Sequence, residues 1–164
     1  MFFRNLTLFR FPTSLDFSQL DELLPEAALK PVGPLELSSR GFISPFGRGE
    51  EALSHRINDA IWLSVGGEDK ILPGAVVNDL LQKKLQEIEQ KEGRKPGGKT
   101  RKRLKDDLLH ELLPRAFVKP SRTDALIDLE HGFIAVDASS RKTGENVVSE
   151  VRCALGSFPA LPLN

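Results

Sequence analysis

Cysteine is nearly missing from this 164-residue chain: Cys153 stands alone. One thiol cannot close an internal disulfide or supply a multi-cysteine zinc site, so a reducing, cytoplasmic compartment is expected. Long apolar runs are missing too, and none approaches the ~20 residues that a membrane helix needs. Arg4 and Arg10 interrupt the first ten residues, and no long apolar stretch with a small-residue cleavage site follows, so no signal peptide is expected. Histidine is scarce and scattered. His55, His110 and His131 form no H-E-x-x-H pair, and Ser54-His55 lacks a G-x-S-x-G frame. No catalytic residue, metal or cofactor is expected, and the chain reads as non-enzymatic. Net charge is absent as well, with 23 basic and 23 acidic residues.

That zero conceals a concentration. Residues 1–90 carry 9 basic and 13 acidic side chains, and residues 106–164 carry 6 and 9. Residues 91–105 carry 8 and 1, a local balance of +7. The eight are Lys91, Arg94, Lys95, Lys99, Arg101, Lys102, Arg103 and Lys105. Charge gathered in this way is an electrostatic footprint for phosphates, although a charge run is also commonly a solvated loop.

Hydrophobic patterning places the run. Phe2 to Phe11 reads as a strand, and Asp16 to Leu24 as a helix capped by Ser14 or Asp16. Ala60 to Val65 alternates as a strand. Gly66-Gly67 then signals a hairpin, with Lys70-Ile71-Leu72 as its return strand. Pro73 opens a helix whose apolar positions, Val76, Val77, Leu80, Leu81, Leu85 and Ile88, recur to about Lys91. Gly93, Pro96, Gly97 and Gly98 break it. A second helix from about Thr100 to Leu113 carries Leu104, Leu108, Leu109, Leu112 and Leu113, and Pro114 stops it. Matching leucine stripes across a short connection predict an antiparallel helix pair with the basic run at its tip. Strands follow at Arg115 to Lys119, Ala125 to Leu129 and Phe133 to Asp137, the last two joined by Glu130-His131-Gly132. Leu129 is expected opposite Phe133, placing Asp128 against Ile134 and Asp137 against Ala125, so that no two carboxylates meet. Arg141 to Leu155 is a final amphipathic helix with Gly156 beyond it; Cys153, at the edge of its stripe, is expected to pack.

The fold class expected is α+β: antiparallel sheet segments with packed helices and a projecting antiparallel helix pair with a basic tip. Residues 1–72 form an N-terminal α+β part, 73–114 the helix pair, and 115–164 a β-hairpin and helix continuous with the first part.

Two further features bear on function. Leu112-Leu113-Pro114-Arg115-Ala116-Phe117 reads plainly as a helix-to-strand corner with Phe117 in the core. It reads alternatively as an exposed aromatic anchor at a subunit contact, where aromatics and arginine are enriched. Gly93, four intervening residues and Gly98-Lys99-Thr100 spell a phosphate-loop pattern. A true phosphate loop follows a strand, whereas the segment before this one is helical. Base-reading machinery is missing: the chain has no zinc ligand set, no heptad zipper and no ribonucleoprotein aromatic motif. Contact with nucleic acid is therefore expected to be independent of sequence. If six to eight cations each met a phosphate, log K would fall against log salt with a slope of roughly −5 to −7. The rival readings are a phosphate-loop nucleotide-binding protein, and a protein-interaction module with a solubilising basic loop.

Several segments in order resemble the recombination-associated protein RdgC family: Phe3-Arg4-Asn5-Leu6, Gly41-Phe42 with Pro45 and Gly47, Lys70-Ile71-Leu72-Pro73, and above all Leu112-Leu113-Pro114-Arg115-Ala116-Phe117. Ile127-Asp128, Gly132 to Asp137, and Leu155-Gly156-Ser157 with Pro159 and Pro162 also fit. The resemblance implies a nucleoid-associated protein that binds double-stranded DNA with little sequence preference. It further implies a ring-shaped homodimer with a positively lined hole, and restraint of RecA-promoted strand exchange. It would place Arg94 and its basic neighbours near DNA, and Arg115 and Phe117 at a dimer contact. Family members are longer, so the chain resembles an N-terminal portion or a shortened relative, and its Pro96-Gly97-Gly98 connection is its own.

Overall fold

In the structure, a computed structural model describing residues 2–163, seven strands form one sheet. Its order is β2-β4-β5-β6-β1-β7, with β3 pairing on β4. The strands are β1 (Thr7–Arg10), β2 (Ser38–Ile43), β3 (Ser54–Ile57), β4 (Ala60–Ile71), β5 (Phe117–Asp128), β6 (Phe133–Val136) and β7 (Leu161–Pro162). The helices are α1 (Leu20–Leu23), α2 (Gly74–Glu92), α3 (Gly98–Leu112) and α4 (Arg141–Leu155), with 3-10 turns at Leu24–Ala27 and Leu113–Arg115. The fold is α+β, with antiparallel pairing at β1–β6, β1–β7, β3–β4 and β5–β6.

The chain divides into two compact units. One comprises residues up to Pro31, Ser39–Gly67 and Pro120 onward; the other comprises Val32–Ser38 and Glu68–Lys119. The first holds the main core. Alternate positions of its strands (Ile61, Leu63 and Val65; Ala125 and Ile127; Ile134 and Val136) pack with Phe9, Leu20, Leu24, Val147 and Val151. The period of two in the strands and of about 3.6 in α4 delivers these residues to one apolar layer. Ser140 caps α4 by accepting from the Thr143 N–H at 3.1 Å, and Gly156 closes it in the left-handed conformation at φ 80°.

Several sequence expectations are corrected. The first strand is shorter than Phe2 to Phe11, and the helix expected over Asp16 to Leu24 is the four-residue α1 followed by a 3-10 turn. Asp16 instead accepts from the Ser18 N–H at 2.8 Å, bending the chain just ahead of the helix. Gly66-Gly67 is not a hairpin turn but lies buried inside β4. A Cβ on Gly66 would come within 2.7 Å of the Ile43 side chain, and one on Gly67 within 2.6 Å of Ser121 Oγ. These glycines admit close neighbours to a continuous strand. The hairpin in this region is β3–β4, turning at Asn58-Asp59 with Asn58 at φ 53°.

The expected pair of strands at Arg115 to Lys119 and Ala125 to Leu129 is one strand, β5, with Pro120 inside it. The β5–β6 register is also one residue from that expected: Asp128 faces Phe133, and Ala125 faces Val136. Leu129 lies outside this pairing, and its N–H donates to the Asp59 carbonyl at 2.8 Å. Asp124 therefore comes level with Asp137, whose N–H donates to the Asp124 carbonyl at 2.9 Å. Both carboxylates are already engaged. Asp137 accepts from the N–H groups of Arg4 and Asn5, each at 3.0 Å. Asp124 accepts from the Ser64 hydroxyl and from Arg122 Nε.

Candidate nucleic-acid interface

The second unit contains the helix pair. Val77, Leu81 and Leu108 are its buried centre, with Leu72, Leu80, Leu85, Leu104, Leu109 and Leu112 packed around them. Lys84 of α2 pairs with Glu111 near the end of α3 at 3.5 Å, a further tie between the two helices. Gly93 ends α2 at φ 72°, its N–H donating to the Glu89 carbonyl at 2.8 Å. A left-handed residue is what this stop requires, and glycine meets it at no steric cost. Five residues, Gly93 to Gly97, connect the helices.

The eight predicted basic residues fall on this connection and its borders. Lys91 lies in the last turn of α2, Arg94 and Lys95 in the connection, and Lys99, Arg101, Lys102, Arg103 and Lys105 in the first two turns of α3. All eight are exposed. Among the described residues none of them lies within 4.0 Å of a carboxylate, whereas Lys83 and Lys84 on the same pair are matched by Asp79 and Glu111. The tip thus presents uncompensated charge.

The phosphate-loop spelling does not produce a phosphate-loop structure. Gly98-Lys99-Thr100 is the first turn of α3, and α2 rather than a strand precedes it. The free N–H groups of such a loop need a strand to aim them at a nucleotide, so the nucleotide-binding reading loses its geometric basis.

Phe117 is not in the core. It opens β5 with 83% of its surface exposed, and Val118 and Arg115 beside it are exposed as well. The corner is held by Leu113, which is buried, and by Lys70. The Lys70 ammonium donates to the carbonyls of Leu113 and Pro34, at 2.8 Å each. The family-like segments Lys70-Ile71-Leu72-Pro73 and Leu112-Leu113-Pro114 are therefore physically joined. Sequence reading missed this role because the two partners lie 43 residues apart.

Two of the histidines have local partners. His110 Nδ1 meets the Asp106 carbonyl at 2.9 Å, and His131 Nδ1 lies 3.0 Å from the Asp128 carboxylate. That carboxylate holds the His131 pKa above its ordinary value, first through the side-chain hydrogen bond and then through its charge; the Asp128 pKa is lowered, chiefly by the His131 N–H. Cys153 is exposed rather than packed. Among the described residues no three His, Cys, Asp or Glu side chains are grouped so as to hold a metal ion, and no helix is long and apolar enough to cross a membrane.

These features define a class: an α+β protein that displays a concentrated, unpaired cationic tip on a helix pair. A family model described as "Putative exonuclease, RdgC" matches residues 1–164. The chain is 79% identical over its whole length to the recombination-associated protein RdgC of Xanthomonas axonopodis pv. citri, and 74% identical to that of Stenotrophomonas maltophilia. It covers 55% of each of these relatives, so it spans about half their length. The chain belongs to the RdgC family, and corresponds to an N-terminal portion of its recombination-associated members.

Proposed function

We propose that this chain is a non-enzymatic, sequence-independent binder of double-stranded DNA that works as a dimer at the nucleoid, in the cytoplasm, and restrains RecA-dependent recombination. One observation carries the binding reading: eight exposed cations on fifteen residues, none paired with a carboxylate among the described residues. Side chains of this kind contact phosphates and carry no base-reading specificity. The name of the relatives supports the recombination context. The exposed Phe117, with Arg115 beside it, supports an aromatic anchor at the dimer contact.

The family description names an exonuclease. The paired aspartates Asp124 and Asp137 are acidic residues that the sheet brings together, and Oδ1 of each is held by internal hydrogen bonds. This favours binding without cleavage.

Fluorescence anisotropy with unrelated duplexes of equal length tests the reading. Equal affinities that weaken steeply with salt are expected; no binding at low salt would overturn it. End-labelled duplex incubated with magnesium or manganese is expected to stay intact, and progressive loss of terminal nucleotides would overturn the non-enzymatic part. Sedimentation is expected to show a dimer that Phe117→Ala shifts toward monomer; a parent chain that is monomeric throughout would remove the dimer.

A further inference from the structure

The first unit carries an aromatic cluster that the basic tip does not explain. Pairing of β3 with β4 sets His55 directly across from Trp62. Ile61 and Leu63 point into the core, so Trp62 between them points to the opposite face of the sheet. Phe46, from the loop after β2, completes a trio. Its ring centroid lies 5.1 Å from that of His55 and 5.8 Å from that of Trp62, and the rings stand nearly perpendicular at 70° and 71°. Phe46 is 51% exposed.

The surroundings are built rather than incidental. Arg122 Nη2 donates to the Pro45 carbonyl at 2.7 Å and is itself held by Asp124, which also takes the Ser64 hydroxyl. The backbone under Phe46 is thereby pinned. Beyond it runs Gly47-Arg48-Gly49, with both glycines at positive φ and open space around them. Arg48 is exposed, and among the described residues no carboxylate lies within 4.0 Å of it. Trp62 Nε1 is the one buried side-chain nitrogen or oxygen among the described residues that lacks a hydrogen-bond partner. Buried donors in native proteins are otherwise satisfied, so a lone exception calls for an acceptor.

We propose that Phe46, His55 and Trp62 form a stacking site for an unpaired base of DNA, with Arg48 meeting the adjoining phosphate. The base stacks on the Phe46 ring, and the His55 ring, at 70° to it, meets the base at its edge. Its edge, rich in carbonyl and ring-nitrogen acceptors, takes the Trp62 N–H as the Phe46 ring, the most exposed of the three, gives way. Every base has a π-face, so the site is indifferent to sequence. A closed duplex keeps its bases stacked inside and offers none. Taking DNA rather than RNA as the source of the base rests on the proposed function; the stacking chemistry does not.

Trp62 is the single tryptophan of a chain without tyrosine, so intrinsic emission reports on this site directly. The chain is titrated with a single-stranded thymidine octanucleotide, the matching uridine octanucleotide and a blunt duplex. The thymidine strand is expected to quench Trp62 and the duplex to leave its emission unchanged. By anisotropy of the labelled octanucleotide, Phe46→Ala is expected to weaken binding roughly 5- to 150-fold, the loss on removing one stacking ring; His55→Ala, a second removal on a different element, is expected to act in the same direction. Arg101→Glu with Arg103→Glu is expected to spare the quenching. Quenching that persists in a chain with no duplex binding at all would leave this site standing and remove the proposed function. The inference is overturned by unchanged emission at saturation, by alanine variants that bind as tightly as the parent, by loss of quenching in the Arg101/Arg103 variant, or by preference for the uridine strand.

Discussion

Neutralising Arg94, Arg101 and Arg103 to alanine tests the phosphate reading quantitatively. The three are exposed, and among the described residues none is in an ion pair, so no ion pair of the fold is lost with their charge. Substitutions at such positions change stability by no more than about 0.5 kcal/mol each. Binding should change much more. If all eight cations of the segment neutralise a phosphate, the slope of log K against log salt is about −7; with five left it is about −4.5. Between 50 and 200 mM salt the parent should then lose about 16,000-fold in affinity and the variant about 500-fold. Anisotropy titrations at four salt concentrations, with two unrelated duplexes, give both slopes, and thermal melts verify that the fold is intact. An unchanged slope would show that these arginines do not meet phosphates. A loss confined to one of the two sequences would refute backbone recognition.

Three other outcomes follow from the structure. Gly66→Ala places a methyl group 2.7 Å from the Ile43 side chain and 3.1 Å from that of Leu29; overpacking of this kind should cost about 1–3 kcal/mol in urea unfolding, and unchanged stability would show that these neighbours give way. Leu108→Ala empties one of the three buried positions of the helix pair and should lower the hydrogen-exchange protection of α2 and α3 by about 2–5 kcal/mol; unchanged protection would mean that the pair does not rest on this contact. The His131 pKa is raised above its ordinary 6.5 by Asp128, so the folded chain favours the protonated ring. That stabilisation is complete below the ordinary value and is lost as pH rises through the raised one. An NMR titration should give a His131 midpoint above 6.5 that Asp128→Asn brings down.

The three long helices were legible to within a residue or two because their signals are local, whereas α1 is four residues rather than the nine expected. Val147 and Val151 repeat on one face of α4, and Gly156 marks its end; Pro73 and Pro114 bracket the helix pair as reliably. Long strands were not legible. Gly66-Gly67 and Pro120 look like breaks in one dimension, and only their neighbours across the sheet show that β4 and β5 run through them. The β5–β6 register differs by one residue from that expected, a shift that turn residues alone do not reveal. Phe117 was open between core and surface for the same reason. The basic tip was legible because charge needs no partner to be counted. The aromatic trio was not, since Phe46, His55 and Trp62 meet only when β3 turns back onto β4.

The placement of charge along α3 has a consequence for the helix itself. Its first two turns hold Lys99, Arg101, Lys102, Arg103 and Lys105 with no acidic residue in the first turn, and Asp106, Asp107 and Glu111 follow toward its other end. A helix is positive at its start and negative at its finish, so this order opposes the macrodipole at both ends. Like charges spaced three and four residues apart add repulsion. The free helix start is therefore electrostatically frustrated, and any polyanion laid against it relieves that frustration. The first turns of α3 should tighten when the phosphates arrive, and added salt should steady them in their absence: the segment gives up intrinsic helix stability for its readiness to be completed from outside.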